Sequence, residues 1–307
     1  MFKNFPVEVD IVEVGPRDGL QNEETLISTE DKITFINKLS LSGLKNIEVT
    51  AFVHPKWSPQ LADSYEVAVG ITRNDKVNYT ALIPNIRGLE RAETSNLKEV
   101  AITASASESH SKKNLNRSID DTLEVVKETI QLAKSKNIVS RAYLSTVFGC
   151  PYEGHVSINK ITEIVKKLLD MGAYQISLGD TVGMANPLQV KEILTEVFKV
   201  IDDKKQIALH FHDTRGLGLA NALVGLEMGI TTFDSSLGGL GGCPYAPGAT
   251  GNISTEDLVN MFHSMGVETG INLEKLVEVN LFLEKVLGRT LSSKYSKTYI
   301  ATKKVPV

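Results

Sequence analysis

The sequence has few cysteines, no excess of positive charge and no hydrophobic run long enough to cross a membrane. Only Cys150 and Cys243 occur among 307 residues, as is typical of proteins that keep free thiols in a reducing compartment. Lys and Arg number 33 against 37 Asp and Glu, and the net charge of -4 argues against a nucleic-acid-binding protein. The N-terminal residues lack the apolar segment of a signal peptide, so we expect a cytoplasmic protein without nucleic-acid or membrane partners.

Common nucleotide-binding and hydrolase motifs are missing as well. No P-loop occurs, and the glycine-rich segment GGLGGCPYAPG lacks the spacing of a dinucleotide-binding fingerprint. The segment SASESHSKKNLNRS contains Ser107, Ser109 and His110, but the G-x-S-x-G turn of a serine hydrolase is missing. We therefore disfavour a Rossmann-type sheet and a serine hydrolase.

Short apolar runs alternate with longer segments of helical periodicity along the whole chain. Eight runs have the length and composition of buried strands: VDIVEV, NIEVTAF, VNYTALI, EVAITAS, VSRAYLSTVF, AYQISLGD, QIALHFH and TTFDSSL. Strand–helix alternation is typical of parallel strands joined by right-handed crossovers. Eight such units predict an α/β fold, a closed (β/α)8 TIM barrel, rather than an open doubly wound sheet.

The predicted barrel leaves only a short segment at the C-terminus. We expect residues 1–270 to form the catalytic (β/α)8 barrel and residues 271–307 to form a helical tail of the same domain, since the tail is too short for a core of its own. Its apolar residues either contact another subunit or cover the side or bottom of the barrel. We expect a homo-oligomer, specifically a dimer.

His210 and His212 alternate at the end of the seventh run, in QIALHFHDTRG. Residues two apart on a strand point to the same side, so both imidazoles can bind one ion. Asp18, with Arg17 directly before it, ends the first run, and the strand ends of a barrel meet at one mouth. The three residues predict a divalent metal site for Mg²⁺ or Mn²⁺, with Zn²⁺ or Co²⁺ as alternatives. In the less favoured interpretation, one histidine faces inward and forms local hydrogen bonds, and the other is incidental.

Further polar residues are predicted at the same mouth. Asn252 offers a neutral oxygen to the metal or caps the helix that begins near STEDLV, and its spacing does not separate these roles. Arg17 is predicted to pair with Glu48 of the second run, and a paired arginine is also a ready donor to a developing oxyanion. Asp180 ends the sixth run.

Two loops carry other candidate residues. Cys243 lies in the glycine-rich segment, typical of a loop that moves or approaches a ligand, and is predicted to be reactive, whereas Cys150 is predicted to be structural. Lys112, Lys113 and Asn114 follow the fourth run, next to a predicted helix start. Such a place either binds phosphate groups or forms a solvated charged face.

The sequence resembles the 3-hydroxy-3-methylglutaryl-CoA lyase family of metal-dependent barrel enzymes over nearly its whole length. The motifs that carry the resemblance are VGPRDGLQNE, IEVTAFVHPKWSPQ, SLGDTVGMANP, LHFHDTRG and GLGGCPYAPGATGNISTEDLV. The last motif is long and is the most specific of the five. GPRDG and H-x-H by themselves indicate only the wider metallolyase superfamily, which includes isopropylmalate and homocitrate synthases.

The resemblance implies roles for individual residues. It implies metal ligation by Asp18, His210, His212 and Asn252, and so favours ligation over capping at Asn252. It also implies that Arg17 stabilises the oxygen of a thioester enolate.

The resemblance also implies functions for further residues, and of these only Glu256 enters through the resemblance alone. Cys243 is implied in proton transfer. The remaining implied residues are Glu48, Asp180 and Glu256 for activity and Lys112, Lys113 and Asn114 for coenzyme A binding.

The implied activity is that of a carbon–carbon lyase, which cleaves (S)-3-hydroxy-3-methylglutaryl-CoA to acetoacetate and acetyl-CoA. This metal-dependent retro-Claisen reaction belongs to leucine degradation and ketone body formation. A lyase for a related 3-hydroxyacyl-CoA is an alternative, because one methyl group changes binding by only about 1–3 kcal/mol. A Claisen-condensing synthase of the isopropylmalate or homocitrate type commonly has a C-terminal regulatory domain, for which the short tail leaves no room.

Overall fold

The computed structural model describes residues 5–241 and 251–304, and in it eight parallel strands close into a barrel in chain order. Strands β1 to β8 are Asp10–Glu13, Asn46–Ala51, Asn78–Ile83, Glu99–Ser105, Val139–Ser145, Gln175–Asp180, Ile207–Phe211 and Thr232–Ser235. The first strand closes the sheet by pairing with both the second and the last, through Val12 with Asn46 and Asp10 with Thr232. The predicted TIM barrel is confirmed.

A helix follows each strand and packs on the outside of the barrel. Helices α1 to α8 are Thr29–Leu39, Ser64–Gly70, Ile86–Thr94, Ile119–Ser135, Ile158–Asp170, Pro187–Val197, Gly218–Glu227 and Thr255–Ser264. Several begin at a residue whose side chain accepts a hydrogen bond from the first turn, among them Ser118 before α4 and Asn186 before α6. Their buried stripes, such as Ile161, Ile164 and Leu168 of α5, face the strands.

The C-terminal segment forms two helices that lie against the barrel. These are α9, Leu273–Leu287, and α10, Lys294–Lys304. Leu276, Val279 and Leu283 of α9 are buried, and this helix contacts α1 and α8. The tail therefore covers the side of the barrel. No helix in the described residues combines the length and apolarity that a membrane span requires.

The end of β1 differs from the sequence-based expectation. Arg17 and Asp18 were expected to end the strand, but the strand stops at Glu13 and both residues lie in the helical turn Gly15–Gly19. Pro16 supplies no backbone N–H for a strand ladder, so the chain turns here instead. His212 likewise lies one residue beyond the end of β7.

Candidate metal centre and active-site cavity

The turn after β1 presents two neighbouring charged side chains to the mouth of the barrel. The carbonyl oxygen of Val14 accepts hydrogen bonds from the backbone N–H groups of Arg17, Asp18 and Gly19, at 3.1, 2.7 and 3.1 Å. Neighbouring side chains of a strand point to opposite faces, and in this tight turn they no longer do so. Arg17 and Asp18 consequently contact each other, with 2.5 Å between Nη1 and Oδ1.

Asp18, His210 and His212 come together as the sequence predicts. One ligand atom from each side chain lies within 4.8 Å of the others, and Nε2 of His210 is 3.9 Å from Oδ2 of Asp18. Within residues 5–241 and 251–304 this is the only such group of histidine, cysteine and carboxylate side chains. The geometry is that of a site able to hold a metal ion.

Asn252 reaches this site through backbone pairing with the end of β7. The Asp213 N–H donates to the Gly251 carbonyl at 2.7 Å, and the Ile253 N–H donates to the Phe211 carbonyl at 3.2 Å. Asn252 is thereby placed opposite His212. The alternative capping role of Asn252 is wrong, because Ser254 caps α8 by accepting from the N–H of Asp257.

Three buried polar atoms of the candidate ligands have no hydrogen-bond partner among the described residues: Oδ1 of Asn252 and the Nδ1 atoms of His210 and His212. The Asn252 amide nitrogen donates to Oδ2 of Asp18 at 2.8 Å and to the Leu240 carbonyl at 3.0 Å, so its carbonyl oxygen is left free for a ligand. A buried acceptor without a partner is costly. Two imidazoles, one carboxylate and one amide oxygen make a donor set that fits a divalent cation.

The charges at the site keep its carboxylate ionised and one imidazole neutral. Burial raises the pKa of Asp18, but the charge of Arg17 and the two nearby histidines outweigh it, so the net pKa lies well below its usual range. Burial, reinforced by His210, lowers the pKa of His212 to about 4. An ionised aspartate and a neutral imidazole are the forms that bind metal.

Arg17 also contacts Glu48, and the predicted ion pair between them is confirmed. Nε of Arg17 donates to Oε1 of Glu48, and the hydroxyl of Tyr143 donates to Oε2 at 3.0 Å. The guanidinium carbon of Arg17 lies 5.3 Å from the centre of the Tyr143 ring. These contacts hold the guanidinium in one orientation at the mouth of the barrel.

A second buried ion pair in the barrel was not singled out from the sequence. Nη2 of Arg141 on β5 donates to Oδ1 of Asp234 on β8 at 2.6 Å, and Nη1 donates to the Tyr143 hydroxyl at 3.1 Å. In the sequence, the only sign of this ion pair was one charged residue within each of two apolar runs, VSRAYLSTVF and TTFDSSL. Such charges are rarely buried without a partner.

Asp180 and Glu256 stabilise loops next to the site. Burial raises the pKa of Asp180 to about 7. Its Oδ1 accepts hydrogen bonds from the N–H groups of Met184 and Ala185, whereas its buried Oδ2 has no partner in the part of the chain that the structure describes. Glu256 is fully buried and accepts hydrogen bonds from the Gly238 N–H and from three side chains. The side-chain donors to Glu256 are Ser254, Asn280 and Ser296.

A cavity of about 720 Å³ opens at this mouth, with Arg17, Asp18, His210 and His212 in its wall. Its lining extends to the loops after β2, β3 and β4. The polar, basic and aromatic side chains of that part include Trp57, Arg87, Lys113, Asn114 and Arg117. Trp57 and Arg87 were not singled out from the sequence.

The remaining candidates divide between the cavity and other surroundings. Lys112 does not line the cavity and pairs with Glu108 at 3.1 Å. Cys150 is buried and accepts a hydrogen bond from the Ser107 hydroxyl at 2.9 Å, as expected of a structural cysteine. Cys243 lies outside the described residues.

Comparison with known proteins relates this chain to one family. The HMGL-like family model matches residues 8–283. The chain is 51% identical to the hydroxymethylglutaryl-CoA lyase YngG of Bacillus subtilis over 290 residues, which are 94% of this chain and 97% of the relative. A crystal structure of the HMG-CoA lyase from Bacillus subtilis has a TM-score of 0.96 and 50% identity, and the match covers 97% of this chain and 100% of that chain.

A second solved structure adds ligands to the comparison. It is an HMG-CoA lyase from Acinetobacter baumannii in complex with coenzyme A and 3-methylmalate. The TM-score is 0.93 at 42% identity, and the match covers 100% of both chains.

Proposed function

The chain belongs to the HMGL-like family, and we propose that it is a hydroxymethylglutaryl-CoA lyase. This enzyme is a carbon–carbon lyase that cleaves 3-hydroxy-3-methylglutaryl-CoA to acetoacetate and acetyl-CoA. The observation that carries the proposal is the cluster of Asp18, His210 and His212 beside Arg17 in the wall of one cavity, with Asn252 hydrogen-bonded to Asp18. A metal site next to a fixed guanidinium suits a reaction that breaks one particular carbon–carbon bond. That bond joins the carbon that bears a hydroxyl group to the carbon next to the thioester.

Asp18, His210, His212 and Asn252 would hold the metal. Two oxygen ligands beside two nitrogens favour Mg²⁺ or Mn²⁺. A bound divalent ion acidifies a coordinated hydroxyl group and neutralises a substrate carboxylate. Because Asn252 is neutral, Asp18 is the only anionic ligand of the four, and the site keeps a net positive charge towards the substrate.

Arg17 is the proposed donor to the enolate oxygen that develops on the thioester when the C2–C3 bond breaks. Glu48 and Tyr143 fix its guanidinium before substrate arrives, so no reorganisation is needed during the reaction. Arg17 also contacts Asp18, which places the donor directly beside the metal site.

Proton transfer requires groups on both sides of the broken bond. We infer that Cys243 donates a proton to C2 of the departing enolate, as the resemblance to the hydroxymethylglutaryl-CoA lyases implies. Asp180, whose pKa of about 7 lets it both accept and donate a proton at neutral pH, orients the loop beside the site or relays the hydroxyl proton.

The acyl-CoA would lie along the cavity with its phosphates at the basic end. Arg87, Lys113 and Arg117 line that end, and Asn114 adds an amide. Coenzyme A carries phosphate groups, which arginine and lysine bind well. The coenzyme A complex of the Acinetobacter baumannii relative supports an acyl-CoA ligand.

The wider setting belongs to the same proposal: a cytoplasmic homodimer that serves leucine degradation or ketone body formation. The homodimer is checked by light scattering coupled to size-exclusion chromatography, in which a mass near twice 33.5 kDa is expected.

The direct test is to incubate the purified protein with Mg²⁺ and 3-hydroxy-3-methylglutaryl-CoA. Acetoacetate and acetyl-CoA are expected in equal amounts, and a chelator is expected to stop their formation. No acetoacetate from folded, metal-supplemented protein would overturn the proposal. Net condensation of acetyl-CoA with a 2-oxo acid would indicate a synthase instead.

A further inference from the structure

The charged side chains inside the barrel form a closed ring of contacts. Arg17 contacts Asp18 and Glu48, Glu48 contacts Tyr143, and Tyr143 contacts Arg141. Two further residues close the ring: Arg141 contacts Asp234, Asp234 contacts His210, and His210 contacts Asp18. The candidate metal ligands Asp18 and His210 therefore complete a network whose other members lie deeper in the barrel.

Asp234 faces the nitrogen of His210 on the side away from Asp18. Oδ2 of Asp234 lies 3.3 Å from Nδ1 of His210, whereas Nε2 of His210 faces Asp18. A neutral imidazole carries one proton, and the nitrogen without the proton is the one able to bind a metal. A carboxylate opposite Nδ1 stabilises the proton there.

The orientation of Asp234 is itself determined by two donors. Nη2 of Arg141 donates to Oδ1 at 2.6 Å, and the hydroxyl of Ser177 donates to Oδ2 at 2.6 Å. Asp234 is 1% exposed and Arg141 is 2% exposed, so water does not compete for these contacts. Oδ2 retains room for one more donor, and the Nδ1 proton of His210 is the group that faces it.

We propose that Asp234 is a positioning residue for the metal site, which holds the Nδ1 proton of His210 and so leaves Nε2 free as the ligand atom. Arg141 keeps the carboxylate turned towards the imidazole. This inference rests on the proposed function for its metal, but its central statement concerns the position of one proton in this chain. Partners of this kind typically change metal affinity by roughly 10–100-fold when they are replaced.

Asp234→Asn is the most informative change, because it keeps the shape of the side chain and replaces one acceptor oxygen by an NH₂ donor. Arg141 requires an acceptor, so the amide oxygen must face Arg141 and the amide NH₂ must face Ser177 and His210. Nδ1 of His210 would then have to accept a hydrogen bond, and its proton would move to Nε2. The atom that faces Asp18 would no longer be available to a metal.

The first measurement is made on the unmodified protein. In ¹⁵N-histidine NMR of the metal-free protein, recorded where imidazole is neutral, we expect His210 to carry its proton on Nδ1. A His210→Gln protein assigns the signal. A proton on Nε2 of His210 in the unmodified protein would overturn the proposal, whether or not Asp234→Asn folds.

The second measurement compares Mn²⁺ dissociation constants by calorimetry. Asp234→Asn is expected to raise the constant by about 10–100-fold, with the His210 proton moved to Nε2. Glu99→Gln is the matched control, because Glu99 is also a buried barrel carboxylate but contacts Tyr174 and Asn78 instead of a candidate ligand. This control is expected to bind Mn²⁺ within about twofold of the unmodified protein, well below the change typical of a ligand's partner.

The possible failures are distinguishable. An unmodified protein that binds no Mn²⁺ contradicts the proposed metal-dependent function. Normal Mn²⁺ binding by folded Asp234→Asn, with the His210 proton still on Nδ1, contradicts the role of Asp234 alone. Equal losses in Asp234→Asn and Glu99→Gln show a general effect of removing a buried charge, and this too overturns the positioning role.

Discussion

The side chain of Asn252 donates a hydrogen bond of 2.8 Å to Asp18, across 234 positions of the chain. Because the amide nitrogen of Asn252 faces Asp18 and the Leu240 carbonyl, its carbonyl oxygen is buried without a hydrogen bond among the described residues. One amide group therefore orients Asp18, the anionic candidate ligand, and also offers a neutral candidate ligand atom of its own.

Asn252→Ala is expected to weaken Mn²⁺ binding by about 10–100-fold, because the variant loses a candidate ligand and the hydrogen bond that orients Asp18. Calorimetric titration with Mn²⁺ checks this. Asn78→Ala, at the start of β3, is the control for loss of a partly buried asparagine and is expected to bind the ion normally. Equal affinities of Asn252→Ala and the unmodified protein would exclude Asn252 from the coordination sphere.

Arg17→Lys is expected to lower kcat by roughly 10²–10³, because lysine keeps the charge but loses the planar guanidinium that Glu48 and Tyr143 orient. Steady-state formation of acetoacetate at saturating substrate measures this, with Mn²⁺ affinity measured in parallel. A smaller loss than tenfold would show that a simple positive charge is sufficient at this position.

Lys113 and Lys112 are neighbours with different surroundings, and they make a matched pair. Lys113→Ala is expected to raise KM for the acyl-CoA several-fold, most clearly at low ionic strength, because Lys113 lines the cavity. Lys112→Ala should leave KM nearly unchanged, since Lys112 pairs with Glu108 outside the cavity lining. Equal increases for both variants would indicate a diffuse electrostatic effect in place of a specific phosphate contact.

Glu13 is predicted to make stability depend on pH. Burial raises its pKa from the ordinary 4.5 to about 8, so between these values the folded protein holds a proton that the unfolded chain has lost. The contribution of this group to the free energy of unfolding is therefore complete below about pH 4.5 and declines as pH rises through about 8.

Glu13→Gln mimics the protonated carboxyl group and keeps an acceptor for the N–H groups of Gly15 and Leu237. Relative to this variant, the unmodified protein should lose stability with a slope of at most about 1.4 kcal/mol per pH unit across that interval. Denaturant unfolding at several pH values checks this. Parallel stability curves would show that Glu13 is ionised in the folded protein throughout.

Much of the architecture and of the candidate metal site was predictable because both depend on local pattern. Strand–helix alternation predicts the barrel, and the strand ends of a barrel meet at one mouth whatever the details of the loops. His210 and His212 are two positions apart on one strand end, so their convergence follows from the period of a strand.

Other parts of the site depend on contacts that only the closed barrel creates. Neither Arg141 nor Asp234 shows in its own segment that the other lies opposite, because β5 and β8 are far apart along the chain. The position of Asn252 follows from its backbone pairing with His212, which its own segment does not show. Likewise, only the shape of the cavity shows that Lys113 lines it and Lys112 does not.

The order of residue types along the chain was enough to determine a parallel barrel with histidines and a carboxylate at its mouth, because periodicity and strand direction are local properties. Only the tertiary structure decided which charges neutralise one another inside, which nitrogen of His210 faces Asp18, and which lysine reaches the cavity. Those choices depend on distances of a few ångströms between side chains from separate strands, and such distances exist only once the sheet has closed.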